Sequence, residues 1–244
     1  MITKNSVLDN LKTLFYALII AIVIRSLLLQ PFYIPSSSME PNLLVGDRLF
    51  VTKYTYGYSK HSFPFSPKIF SGRIFFSEPK SGDVVVFKTP ADNRTDYIKR
   101  LIGLPGDEIQ FIDGELYINN NQILKTSIKS NEKIYCGSEQ VKVNFFNEKL
   151  VNGKIYKSVY RSGYSFQNSD KFIVPEKHYF FLGDNRDCSK DSRFLSEVGY
   201  VHQDNLVGKA QFLFFSSDYS KGSIFKFWNW DEILRFNRFF KKIK

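Results

Sequence analysis

An uninterrupted apolar run from Leu14 to Ile24, extended past Arg25 and Ser26 by Leu27, Leu28 and Leu29 and stopped by Pro31, sets the first limit on this chain. A helix needs roughly 20 residues to cross the hydrocarbon core of a bilayer, and with its flanks this run approaches one crossing. Arg25 is tolerated if its long side chain snorkels to the interface. Lys4 and Lys12 precede the run, so the positive-inside tendency leaves the N-terminus in the cytoplasm and everything after Pro31 on the far side. A cleavable secretory signal shares the basic start and the short apolar core. Gln30, Pro31, Phe32 and Tyr33 stand where its small-x-small site would be, which favours an uncleaved anchor.

Beyond residue 31 the helical period almost disappears. Short apolar runs replace it: Leu49–Val51, Val84–Phe87, Glu115–Ile118, Tyr179–Leu182 and Ala210–Phe215, bounded by Gly46-Asp47, Gly82-Asp83, Pro105-Gly106-Asp107, Asp113-Gly114 and Gly183-Asp184. Runs of this length between turn residues read as strands. The expected fold is therefore mostly β: an N-terminal transmembrane helix, then a β-rich core with a smaller β subdomain inserted. Residues 1–30 form the tail and anchor, 31–110 and 174–244 the core, and 111–173 the insert. Within the insert, 127–172 is rich in Asn, Ser and Lys and shows no strong period.

The 244 residues carry a formal net charge of +10, with 25 Phe and 14 Tyr. That balance suits an anionic partner, either nucleic acid or an anionic bilayer. No helix-turn-helix, zinc finger or stacking platform is visible, and the anchor would hold the domain off the chromosome, so the bilayer is the expected partner. The Phe-rich stretch His61–Phe76 reads equally as a loop folded on the core or one touching lipid; Ile69 belongs to it. The tail from Trp228 to Lys242 mixes aromatics and cations as an interfacial helix does, and that reading is favoured over a plain packed helix.

Cys136 and Cys188 lie far apart in sequence with no second thiol or histidine cluster beside them, so no zinc framework is available and no cofactor is called for. In an oxidising space they could pair, but two cysteines in a chain of this size favour the unpaired reading. The chemistry instead centres on Ser36, Ser37 and Ser38, directly after the anchor. A serine hydroxyl needs a base. His61, His178 and His202 sit beside no nucleophile pattern. Lys99, between Tyr97-Ile98 and Leu101-Ile102 beyond Arg100, is the lysine best placed to be desolvated, which lowers the pKa of an ammonium group.

Four blocks occur in order: Ser36-Ser37-Ser38-Met39-Glu40-Pro41-Asn42-Leu43-Leu44-Val45-Gly46-Asp47, Gly82-Asp83-Val84-Val85-Val86-Phe87, Tyr97-Ile98-Lys99-Arg100-Leu101-Ile102-Gly103-Leu104-Pro105-Gly106-Asp107, and Gly183 to Arg193. Together they resemble the bacterial type I signal peptidases. The resemblance implies a membrane-anchored serine endopeptidase, single-pass in the inner membrane with its catalytic domain on the periplasmic side. It would cleave signal peptides from exported preproteins after small residues at −1 and −3. Ser38 becomes the nucleophile and Lys99 the general base. Ser36 joins the Ser38 N–H in the oxyanion hole, and Ser189 hydrogen-bonds and orients Lys99. Arg100, Asp191 and Arg193 form a charged brace, and Gly183 and Asn185 fix the turn that presents Ser189. Phe32, Ile34, Met39, Leu43, Leu49, Val86, Tyr97 and Ile98 line shallow apolar pockets.

Three positions depart from the common pattern. Ser37 replaces a frequent Gly, Glu40 occupies a variable position, and Cys188 stands where Asn is common, so that thiol modification there could inhibit. Competing readings are a processing peptidase dedicated to one pilus or conjugation substrate, a self-cleaving repressor core, and an inert membrane-tethered β module. The complete Gly183–Arg193 block speaks against the first, the anchor in place of a DNA-binding head against the second, and serine-dependent turnover would exclude the third. Oligomeric state is left open.

Overall fold

The computed structural model describes residues 4–68, 70–163, 165–222 and 225–243; Ile69 of the Phe-rich loop lies outside them. The chain is mostly β. A helix over Lys4–Val23 continues as a π-helical turn over Ile24–Leu28. Within it, Leu8–Leu28 makes 21 residues of mean hydropathy 2.0, long and apolar enough to cross a membrane. Leu14, Phe15, Leu18 and Ile20 are all exposed. The helix thus presents to its surroundings the kind of surface that a globular core would bury.

The helix runs directly into an edge strand, Leu29–Tyr33, which belongs to a seven-stranded antiparallel sheet. Pro31 is tolerated there because an edge strand does not need every N–H. From this edge the order is Asp47–Thr52, Leu206–Ser216, Val84–Lys88, Asp96–Gly103, His178–Leu182 and Val201–His202. Register shifts in the long strand Leu206–Ser216 bend it, as bulges do. Val84–Lys88 is buried on both faces, as its unbroken Val-Val-Val-Phe requires. One core cluster gathers Ile34, Met39, Leu43, Leu49, Val51 and Val86. Another holds Val85, Phe87, Leu101, Phe181 and Leu206.

Residues 108–173 supply the smaller sheets: Leu124–Ile128, Val143–Lys149 and Ile155–Arg161 in one, and the hairpin Ile134–Cys136 with Glu139–Val141 in another. These strands are hard to see in the sequence because Leu124 and Ile155 face outward while Glu148 and Ser158 are buried, which breaks the apolar alternation. Two other expectations are corrected. Cys136 and Cys188 are joined in a disulfide, with Cα atoms 5.2 Å apart; the hairpin and the turn Arg186–Cys188 bring them together across 52 residues. The tail is not an interfacial helix. It contains one four-residue helical turn, Trp230–Ile233, and packs back on the core. Arg238 forms a buried ion pair with Asp47 at 2.6 Å, and Arg235 reaches Val45 O at 2.9 Å. Its aromatics Phe227, Trp228, Phe236 and Phe240 still face outward.

Candidate active site

The strand Asp96–Gly103 enters from solvent and becomes wholly buried from Lys99 onward. Opposite it, the chain leaving the edge strand makes a 3-10 turn over Ser37–Met39. The two meet: Lys99 Nζ lies 2.5 Å from Ser38 Oγ, across 61 positions of sequence. Lys99 is 3% exposed and Ser38 7%. Burial pushes the Lys99 ammonium down to about 8, against the opposing pull of Asp191 and Asp184. The Tyr97 ring, 5.4 Å from Nζ, is the nearest aromatic face. Ser36 Oγ stands 3.4 Å from Ser38 Oγ, on the exposed side.

The other predicted residues separate into groups. Asn185 does more than shape a turn. Its N–H donates to Ser38 O at 3.1 Å, and its Nδ2 donates to Ser37 O at 3.2 Å and Tyr135 O at 3.0 Å, so it grips the serine turn from behind. Gly183 is required for closeness rather than for a left-handed φ. A Cβ there would collide with the Ser189 side chain and stand 2.6 Å from the Ser38 carbonyl oxygen. Ser189 departs from expectation. Its buried hydroxyl makes no hydrogen bond to Lys99; it sits near enough to Asp191 to help hold that carboxylate's pKa down, at a geometry short of a hydrogen bond.

The expected brace of Arg100, Asp191 and Arg193 resolves into two pairs. Arg193 forks onto Asp191 at 2.8 and 2.9 Å, and the Gly183 N–H donates to the same carboxylate at 3.0 Å. Burial works to raise the Asp191 pKa, and Arg193 brings it below the ordinary carboxylate value. Arg100 instead pairs with Asp184, with both contacts at 2.7 Å, and donates to Gly82 O. Asn42 Nδ2 donates to the same Asp184 at 2.7 Å. Among the pocket candidates Ile34, Met39, Leu43, Leu49 and Val86 are fully buried, while Phe32, Tyr97 and Ile98 are half-buried.

Sequence reasoning missed a further buried pair. Arg186 meets Glu148 at 2.6 and 2.8 Å, and the Tyr156, Ser158 and Tyr160 hydroxyls donate to the same carboxylate. Arg186 Nε also donates to Gly183 O at 3.1 Å. Arg186 lies inside the Gly183–Arg193 block and was legible there; Glu148 carries no local signal at all.

A family model described as signal peptidase, peptidase S26, matches residues 7–215. Signal peptidase I of Rickettsia typhi is 42% identical over 260 residues, covering 99% of this chain and 96% of that protein. Signal peptidase I of Rickettsia conorii is 44% identical over 248 residues, covering 93% and 90%. A solved signal peptidase I from Enterococcus faecalis V583 is 28% identical and spans 55% of this chain and 97% of its own, with a TM-score of 0.33. That superposition is too loose to bear on the fold.

Proposed function

Because the chain belongs to the signal peptidase family, peptidase S26, we propose that it removes signal peptides with Ser38 as nucleophile and Lys99 as general base. The observation that carries this reading is the buried 2.5 Å contact between Lys99 Nζ and Ser38 Oγ. A lysine near 8 is neutral in a useful fraction at neutral pH. Neutral Nζ takes the Ser38 proton as Oγ attacks the scissile carbonyl carbon. The resulting ammonium then protonates the leaving amine, and the acyl-enzyme is hydrolysed by a water that Lys99 deprotonates in turn. Negative charge on the carbonyl oxygen is met by the Ser38 N–H and the Ser36 hydroxyl, preorganised donors of the kind that dominate such reactions. Phe32, Tyr97 and Ile98, over the buried floor, form shallow apolar walls that suit small −1 and −3 side chains.

Ser38→Ala and Lys99→Ala, assayed on a preprotein with Ala-x-Ala before its mature start, test the assignment. Full activity in either variant overturns it. Residues 31–110 and 174–244 are proposed as the catalytic core and 111–173 as an inserted subdomain, held outside the inner membrane by the N-terminal helix.

Anionic lipid is the proposed second partner. A cavity of about 540 Å³ is lined by Arg25, at the outer end of the apolar helix, and by Lys53, Lys60, Lys68, Lys88 and Arg94, against two carboxylates, Asp92 and Asp96. Phe65 beside it is fully exposed. Adding anionic lipid to the full chain in zwitterionic vesicles is expected to blue-shift emission from the exposed Trp228 and Trp230 in a salt-sensitive way; an unchanged spectrum overturns the reading.

A further inference from the structure

Glu40 comes directly after the serine turn, two residues past Ser38, and its side chain is buried, 3% exposed. A carboxylate is costly to bury without a donor. Its donor is the Tyr135 N–H, at 2.8 Å. Burial pushes Glu40 up to about 7, and that N–H, followed by Arg235, pulls it partly back. The Tyr135 carbonyl accepts from Asn185 Nδ2, the same group that donates to Ser37 O. Both main-chain groups of Tyr135 are therefore held by side chains belonging to the serine turn or gripping it.

Tyr135 sits on the hairpin Ile134–Cys136 with Glu139–Val141. A lone two-stranded hairpin is marginal in water. This one is fastened by a small cluster of Ile134, Val141, Phe145 and Val159, and by the bond from Cys136 to Cys188, the residue before Ser189. The frame is a closed circuit: serine turn, Glu40, Tyr135, Cys136, Cys188, Asn185 and back to Ser37 and Ser38.

We infer that Glu40 is a positioning residue for Ser38, and that the Cys136–Cys188 disulfide holds the hairpin on which Glu40 acts, so turnover depends on that pair being oxidised. The inference rests on the proposed Ser38–Lys99 reading. Opening the bond takes two electrons and two protons from an added dithiol, which becomes a disulfide, and leaves two cysteine thiols. The hairpin then loosens, and Glu40 and Asn185 lose a partner each while Lys99 and its strand are untouched. Substrate pockets formed by Phe32, Tyr97 and Ile98 lie outside the circuit, so the loss falls on kcat rather than KM.

The test uses the full chain in detergent micelles on an Ala-x-Ala preprotein, with Ser38→Ala as the separate check on the catalytic reading. Dithiothreitol, with two thiols titrated per chain, is expected to lower kcat about tenfold at unchanged KM, the scale of one buried group left unsatisfied. Reoxidation should restore it. A Cys136→Ser, Cys188→Ser double variant should start low and ignore the reductant. Glu40→Gln, which keeps an acceptor oxygen, should retain most of kcat, whereas Glu40→Leu should lose it. Full kcat in the reduced chain, or equal kcat in the Gln and Leu variants, overturns the inference. The redox arm decides even if Glu40→Leu fails to fold.

Discussion

Lys99 and Arg100 are adjacent in one strand, both cationic and both buried, yet burial has opposite outcomes for them. Lys99 meets the Ser38 hydroxyl, and desolvation carries it down to about 8. Arg100 feels the same desolvation, but Asp184 grips it with two charge-assisted hydrogen bonds, and its pKa ends raised. Burial alone does not make a base. What separates the two positions is where the carboxylates point: Asp184 is committed to Arg100 and Asp191 to Arg193, so neither closes on the lysine. The arginines thus brace the site mechanically and also occupy the acids that would otherwise keep Lys99 charged.

The sharpest way to break this contrast is to make each cation apolar. Lys99→Met is expected to lower kcat by about 10² to 10⁴, the range of a general base, while stability is unchanged or rises because a desolvated amine is removed. Arg100→Met should do the reverse in kind, costing about 3–5 kcal/mol of stability by leaving Asp184 buried and unpaired. Denaturant unfolding and kinetics on both variants read this; equal stability losses would dissolve the comparison.

A smaller effect is the pH profile. If Lys99 is the base proposed above, its neutral form is the active one, and kcat/KM should rise about tenfold per pH unit below about 8 and level off above it. A flat or falling profile between about pH 6 and pH 9 contradicts the role. The smallest effect sharpens the point about the acids. Arg193 lowers Lys99 through its positive field, so Arg193→Gln loosens Asp191, favours the ammonium and moves the inflection above 8 by a fraction of a unit. An inflection unmoved or displaced to lower pH would mean that the arginine braces the loop and nothing more.

Much of the core is legible in the sequence. The apolar runs at Leu49–Val51, Val84–Phe87 and Tyr179–Leu182 are strands because β-branched and aromatic residues between turn glycines have little alternative. Ser38 and Lys99 are picked out by the four ordered blocks and the family resemblance they carry; the place of the serines after an apolar run and the apolar neighbours of Lys99 only agree with it. The strands between 124 and 161 are hidden because outward Leu124 and Ile155 and buried Glu148 and Ser158 break the alternation, and the tail's Arg235 and Arg238 look like any surface cations until Asp47 and Val45 are seen beside them.

The sequence by itself determined the long apolar N-terminal helix, the β character of the rest of the chain and, through four ordered motif blocks, which serine and which lysine to look for, because hydropathy, turn chemistry and motif order are written along the chain. Only the tertiary structure decided which charges meet. Arg100 chose Asp184 over Asp191, Glu148 went to Arg186, the Ser189 hydroxyl made no bond to Lys99, and Cys136 found Cys188. These partners are brought together by strand register across dozens of residues. A buried charge's pKa depends on the few ångströms around it, and no stretch of sequence contains that distance.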